Sequence, residues 1–244
     1  MRRFESYRGH KPFFIWPLYC QDLTSSLPSI SHGDYREDMT AAQRESRFEP
    51  DIVRDRIIDT ATRLFASLGY DGTSTQLLAD AAGVGVSTIT ELIGTKRDIY
   101  VAVMTWASLA EKAVFDEAFE EFSPDRAGIH LLADRYLDFC VDHPEVPALW
   151  LHRWQSDATD ITELESMYVK PGQERITSVI QEFIKTEVDI EYALWTVSWC
   201  IHGFCVGGVI NKAGRREGPH NTVLLRRFRA HLHQLIDRML QLDR

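Results

Sequence analysis

The side chains able to do chemistry in this 244-residue chain do not converge on a reaction centre. Four cysteines (Cys20, Cys140, Cys200, Cys205) are scattered, with no C-x-x-C pair and no Cys/His cluster at the spacing that zinc ligands need. Asp142-His143 and Glu120-Glu121 are adjacent, and adjacent residues on a helix point apart. No G-x-S-x-G elbow, phosphate-binding glycine loop or dinucleotide fingerprint occurs. The expectation is no enzyme, no metal and no cofactor. What remains is a set of hydroxyls and cations. "GVGVSTITELIGTK", Gly83 to Lys96, places Ser87, Thr88 and Thr90 between two glycines and a lysine. Short hydroxyls at the leading end of a short helix suit hydrogen bonding to phosphates and base edges.

The elements that must position these groups read as helices. From Asp51 onward Val53, Ile57, Ala61, Leu64, Phe65 and Leu68 recur at three- and four-residue steps, with Pro50 at the start and Gly69 at the C-cap. Thr73 with Gln76 fits a capping box for a second helix that Gly83 ends, Leu77, Leu78 and Ala81 facing inward. A third runs over about 86–93, burying Val86, Ile89 and Ile93 and leaving Ser87, Thr88, Thr90 and Glu91 outward. Thr95 with Asp98 caps a long helix towards Phe122. "SPDR" at Ser123 starts another, and "DHPEVP" at Asp142 and "VKPGQ" at Val169 are breaks. Two helices, about 189–212 and 221–242, close the chain, and no alternating run flanked by hairpin turns is present. The fold class is all-α.

Composition bounds the partners. The net charge of -9 excludes a generally basic surface, so any nucleic-acid contact is local. Scattered cysteines suit a reduced, cytoplasmic protein. Eight apolar residues, "FFIWPLYC", are too short to span a bilayer. "YALWTVSWCIHGFCVGGVI", Tyr192 to Ile210, lacks Lys, Arg, Asp and Glu, yet reads as a core or interface helix and not a membrane span. His231 and His233 point to different faces and read as surface histidines.

The stretch from Arg54 to Met104 resembles the DNA-binding domain of the TetR family (tetracycline-repressor-like regulators). The likeness is carried by "IIDTATRLFASLGYDGTSTQLLADAAGV", then "STI", then "GTKRDIYVAVM". It implies a head with a helix-turn-helix at 48–97 and a helical effector-binding and dimerisation domain at 98–244. Residues 1–47 are then a disordered extension, with Met39 an alternative start. The implied function is a ligand-responsive regulator, a repressor in most of the family, that binds a near-palindromic operator in double-stranded DNA as a homodimer.

Against the usual third-helix text, close to "GVSxGTLYxHFxSK", this chain keeps Thr88 and Lys96 but has Thr90 for the Tyr, Leu92 for the His and Ile93 for the Phe. Bonds to charged groups contribute about 1.5–3 kcal/mol each, so losing one or two per subunit weakens DNA binding substantially. From Asp51 to Arg97 five Lys/Arg face six Asp/Glu, which does not compensate. The contact set is expected to be Arg54, Thr73, Ser74, Thr75, Gly85, Val86, Ser87, Thr88, Thr90, Glu91 and Lys96, with Arg44 and Arg47 on an N-terminal arm. The alternative is a helical ligand- or protein-binding dimer with weak or lost DNA binding.

Aromatics gather in the C-terminal part. Trp106, Phe139, Trp150, Trp154, Met167, Trp195, Trp199 and His202, with Tyr136, His152 and Phe183 alongside, are expected around a pocket for a small apolar or aromatic effector. Gly203 and Gly207, with the seam Leu225, Phe228, Leu232, Leu235 and Met239, are expected in the dimer interface.

Overall fold

Helix α1 (Ala41–Leu68) opens the computed structural model, which describes residues 41–182, 184 and 187–242. Most of the expected extension, Met39 and Phe183 lie outside the described residues, as do the side chains of Arg44 and Arg47. Glu45–Arg244 forms one compact unit, and the packing below is that of this unit. The helix begins at Ala41 rather than after residue 47, and it carries Pro50 inside instead of at its start. Ile57, Ala61 and Phe65, at four-residue steps, are completely buried. Gly69 ends α1 at φ +75°, its N–H donating to Phe65 O at 2.9 Å.

Helix α2 (Thr75–Ala82) is capped by Ser74, whose hydroxyl accepts from Leu77 N, rather than by the expected Thr73–Gln76 box. Gln76 donates to Asp80 instead, and Thr73 donates to Gly69 O at 2.7 Å, closing the α1–α2 turn. Gly83 in the left-handed region stops α2 and α3 (Val86–Leu92) follows. Only Ile89 of the expected inner face is fully buried. Val86 is exposed and Ile93 is half-buried beyond the helix end, because seven residues make too short a helix to bury both termini. Helix α4 (Lys96–Glu120) starts with the expected reciprocal capping box of Thr95 and Asp98.

Behind the head, α4 packs on α5 (Arg126–Asp142), and α6 (Glu145–Trp154) packs on α8 (Ile190–His202). Helix α9 (Thr222–Met239) lies on both α5 and α8. "VKPGQ" is not a break. A π turn (Glu165–Val169) runs directly into α7 (Lys170–Ile180), the wider turn accommodating Pro171 in the first turn of α7. The apolar run from Tyr192 also behaves differently: α8 passes into a π turn (Gly203–Gly207), and Gly208 at φ +64° turns the chain out of the helix. A hairpin follows, Val209–Ile210 (β1) antiparallel to Arg216–Glu217 (β2), tied by the Asn211 side chain accepting from Ala213 N and Arg215 N. Two-residue strands leave no alternating pattern to read. Among the described residues no helix is long and apolar enough to cross a membrane.

Candidate nucleic-acid interface and the core behind it

The head holds α3 outward on a small aromatic core. Phe65, Tyr70 and Tyr100 meet edge-on and tilted, 4.9–6.0 Å between centroids, with Ile89 of α3 buried in the same cluster. Ser87, Thr90 and Glu91 remain exposed and Thr88 half-buried. The Thr90 hydroxyl donates back to Val86 O at 3.1 Å, a bond that a threonine on a helix makes with its own backbone. Gly85 forms the N-cap with no side chain in the way, leaving the N-terminal amides of α3 uncovered by a side-chain cap. Ser74, Gly85 and Val86 are exposed beside these groups, and Thr75 and Arg54 are half-buried.

Two expected DNA contacts are placed elsewhere. Thr73 is 1% exposed and its hydroxyl is used inside the α1–α2 turn. Lys96 donates to Tyr70 O (2.9 Å) and Thr73 O (3.0 Å), and its ammonium stands 4.0 Å over the Tyr70 ring. With two of three donors used inward and a cation–π contact besides, Lys96 fastens the α1–α2 turn to the start of α4 rather than reaching for a phosphate.

The head is tied to the helices behind it chiefly through the segment after α6. Asp157 accepts from Tyr70 N at 2.6 Å and Asp71 N at 2.8 Å. His152 lies 3.2 Å from Ala66 O, and Arg97 pairs with Glu163. That segment contains two non-glycine residues at positive φ, Ser156 (+68°) and Ala158 (+53°). Buried Arg153 braces it, bonding Glu165 at 2.7 Å and the carbonyls of Asp157, Ala158 and Ile161.

The same helix α6 carries Trp150 and Trp154 into the aromatic core. Trp150 stacks on Trp154, Trp154 lies parallel to His202 (5.1 Å, 4°) and edge-on to Trp195, and Trp195 stacks on Trp199. At the inner end of this ladder stands Glu111. Tyr136 Oη donates to its Oε1 at 2.8 Å and Trp150 Nε1 to its Oε2 at 3.1 Å. Tyr136 Oη also lies 2.5 Å from His202 Nε2. Burial lifts the Glu111 carboxyl to about 7, with the two hydrogen bonds pulling the other way. Burial also pushes His202 down to about 4.

Five of the expected effector residues, Trp150, Trp154, Trp195, Trp199 and His202, therefore come together. Phe139 and Trp106 form a separate group around His143. Met167, on the π turn and 54% exposed, lines nothing of this core. A surface cleft of about 370 Å3 lies instead against Arg126, Gln234, Asp237, Arg238 and Leu242. Nor is His233 a plain surface histidine: it stacks on His130 (4.0 Å, 10°) and pairs with Asp134, while His130 pairs with Asp237.

Glu111 was missed, though a signal existed. It interrupts Val103, Ala107, Val114 and Ala118, the inward-facing series of α4, at a three- and four-residue step. Asp157 gave none, since its partners lie more than eighty residues away.

Residues 57–103 match the family model described as bacterial regulatory proteins, tetR family. The uncharacterized HTH-type transcriptional regulator YhgD of Bacillus subtilis (strain 168) is 26% identical over 133 residues, 54% of this chain and 65% of that protein. The chain thus matches just under two thirds of that relative's length. Among solved structures, the TetR family transcriptional regulator PfmR from Thermus thermophilus has a TM-score of 0.57 at 20% identity, covering 78% of this chain and 97% of its own. The transcriptional regulator FadR from Bacillus subtilis in complex with stearoyl-CoA has a TM-score of 0.56 at 16% identity, covering 78% and 98%. At such identities the structural likeness speaks for the fold.

Proposed function

We propose that the chain is a regulator of the tetR family, whose model residues 57–103 match, and that it works in the cytoplasm as a repressor, binding a near-palindromic operator as a homodimer and released by a small apolar effector. Residues 48–97 are the reading head and 98–244 the effector-binding and dimerisation body. The observation that carries this reading is α3 itself, a short helix held on a buried Ile89 with its leading hydroxyls and amides turned outward. Ser87, Thr88, Thr90 and Glu91 meet the major groove. Gly85 and Val86 let the backbone approach, and Arg54, Ser74 and Thr75 reach flanking phosphates.

The dimer forms over α8 and α9. Tyr192, Trp199 and Val206 are exposed large apolar residues, and a Cβ added at Gly203 or Gly207 would meet open space. Leu225, Phe228, Leu235 and Met239 are half-buried on α9, which packs on α8. Leu232, 1% exposed, belongs to the monomer's own core, and Phe228 already stacks on Phe204 at 4.0 Å. The effector binds at the ladder of Trp150, Trp154, Trp195 and His202. The neighbouring regulator solved with stearoyl-CoA supports a body of this fold taking an apolar ligand.

Gel-shift titration of the folded dimer against sequences selected from a random DNA pool tests the reading, at low and moderate salt. A specific shift that weakens with salt is expected. Failure to select any sequence ends the DNA-binding reading.

A further inference from the structure

Among the described residues, Glu111 stands without a cation. Its carboxyl is enclosed, and its hydrogen-bond partners are two neutral donors, Tyr136 and Trp150. The ionisable groups facing it are neutral as well. Burial lifts the Tyr136 hydroxyl and the Cys140 thiol, Cys205 beside Cys140 is pushed up to about 12, and His202 is held down to about 4. Glu111 is therefore the one group among them that takes a charge near neutral pH. A buried carboxylate without a partner is costly, and such groups concentrate where a ligand supplies what the fold does not.

The surrounding hydrogen bonds have a direction. While Glu111 is ionised, Tyr136 gives its one hydrogen to the carboxylate, and the short contact with His202 is then donated by His202 Nε2–H. Neutral His202 then carries its lone pair on Nδ1, which is buried without a partner among the described residues. An ionised Glu111 and a bare His202 Nδ1 are both acceptors. Both ask for a donor, and the parallel Trp154 and His202 rings, with Trp195 edge-on to Trp154, offer flat apolar walls. The ladder runs outward from Trp150, 2% exposed, to half-buried Trp154 and Trp195.

We propose that the ligand of this core is a planar aromatic molecule bearing a protonated amine, its ammonium paired with Glu111 and its ring seated against Trp154 and Trp195. The inference rests on the effector-site reading above and narrows it by charge: a cation against an aromatic wall is attracted by ring and carboxylate together, whereas an anionic head group is repelled.

The test uses a matched pair of probes, 2-naphthylmethylamine and the neutral 2-naphthylmethanol, titrated calorimetrically into the full chain at pH 7.5. The amine is expected to bind at least tenfold tighter. Glu111→Gln should abolish that preference while leaving the alcohol's affinity unchanged, which a merely structural Glu111 would not do. Where Glu111→Gln does not fold, Tyr136→Phe takes its place. With one donor gone the carboxyl holds its proton to higher pH, so the amine alone should bind more weakly at pH 7 and recover by pH 8.5. Equal affinities, or a preference that persists without Glu111, overturn the amine while leaving an apolar effector site. No binding of either probe overturns the amine too, and the DNA-binding reading is then decided separately by the gel shifts.

Discussion

At the scale of single residues, two buried groups pull the stability of this protein in opposite directions with pH. The Glu111 carboxyl keeps its proton in the folded chain to about 7, against an ordinary value of 4.5. Between those values the folded state holds more protons than the unfolded one, and stability falls as pH rises. His202 titrates at about 4 when folded against an ordinary 6.5, so between 6.5 and 4 the unfolded state takes up the proton and stability falls as pH drops. The two slopes offset one another from about 4.5 to 6.5, each amounting to at most roughly 3.4 kcal/mol over its whole range. Removing one should expose the other. Urea denaturation of Glu111→Gln is expected to show a steeper loss than wild type between pH 6.5 and 4.5; parallel curves would refute the opposition. Asp157 offers a second residue-scale outcome. Its two bonds to backbone N–H groups of the head are charge-assisted but partly solvated. Asp157→Ala should therefore cost about 2 kcal/mol in the same assay.

Among the elements, α3 carries the functional question and Gly69 the geometry beneath it. Gly69 stands at φ +75° with the Asp157 carboxylate 3.1 Å from where a Cβ would sit. Gly69→Ala is expected to destabilise the head by about 1–2 kcal/mol from backbone strain alone. On α3, Thr90 bonds its own helix and Leu92 is half-buried, so neither reaches outward as a long polar side chain would. Thr90→Tyr with Leu92→His should raise affinity for a selected operator at least tenfold in gel shifts. An unchanged affinity would place the contacts elsewhere. The helices of the head were legible because three- and four-residue spacing and caps such as Thr95–Asp98 are local. Pro171 misled because a π turn absorbs a proline that would end an ordinary helix. The hairpin left no trace in two-residue strands. The long-range partners of Glu111, Lys96 and Asp157 are set by packing, which no local pattern encodes.

For the whole molecule, the exposed apolar residues of α8 and the π turn that follows it set the expected assembly. Trp199 is 49% exposed, Val206 41% and Tyr192 66%, a patch that a lone subunit would leave in water. The double substitution Trp199→Glu with Val206→Glu should convert the dimer to monomer in sedimentation velocity. Operator affinity should be lost with it, since one head alone cannot span two half-sites. A dimer surviving both charges would move the interface off α8.

The tie between head and body has a consequence for how such a protein can change. Asp157 grips main-chain amides, which every residue except proline supplies, so the link is blind to the side chains at positions 70 and 71. On the proposed function, substitutions on α3 that alter what the head reads leave these two bonds untouched. A lineage could then acquire a new target sequence without relearning how to respond to its signal.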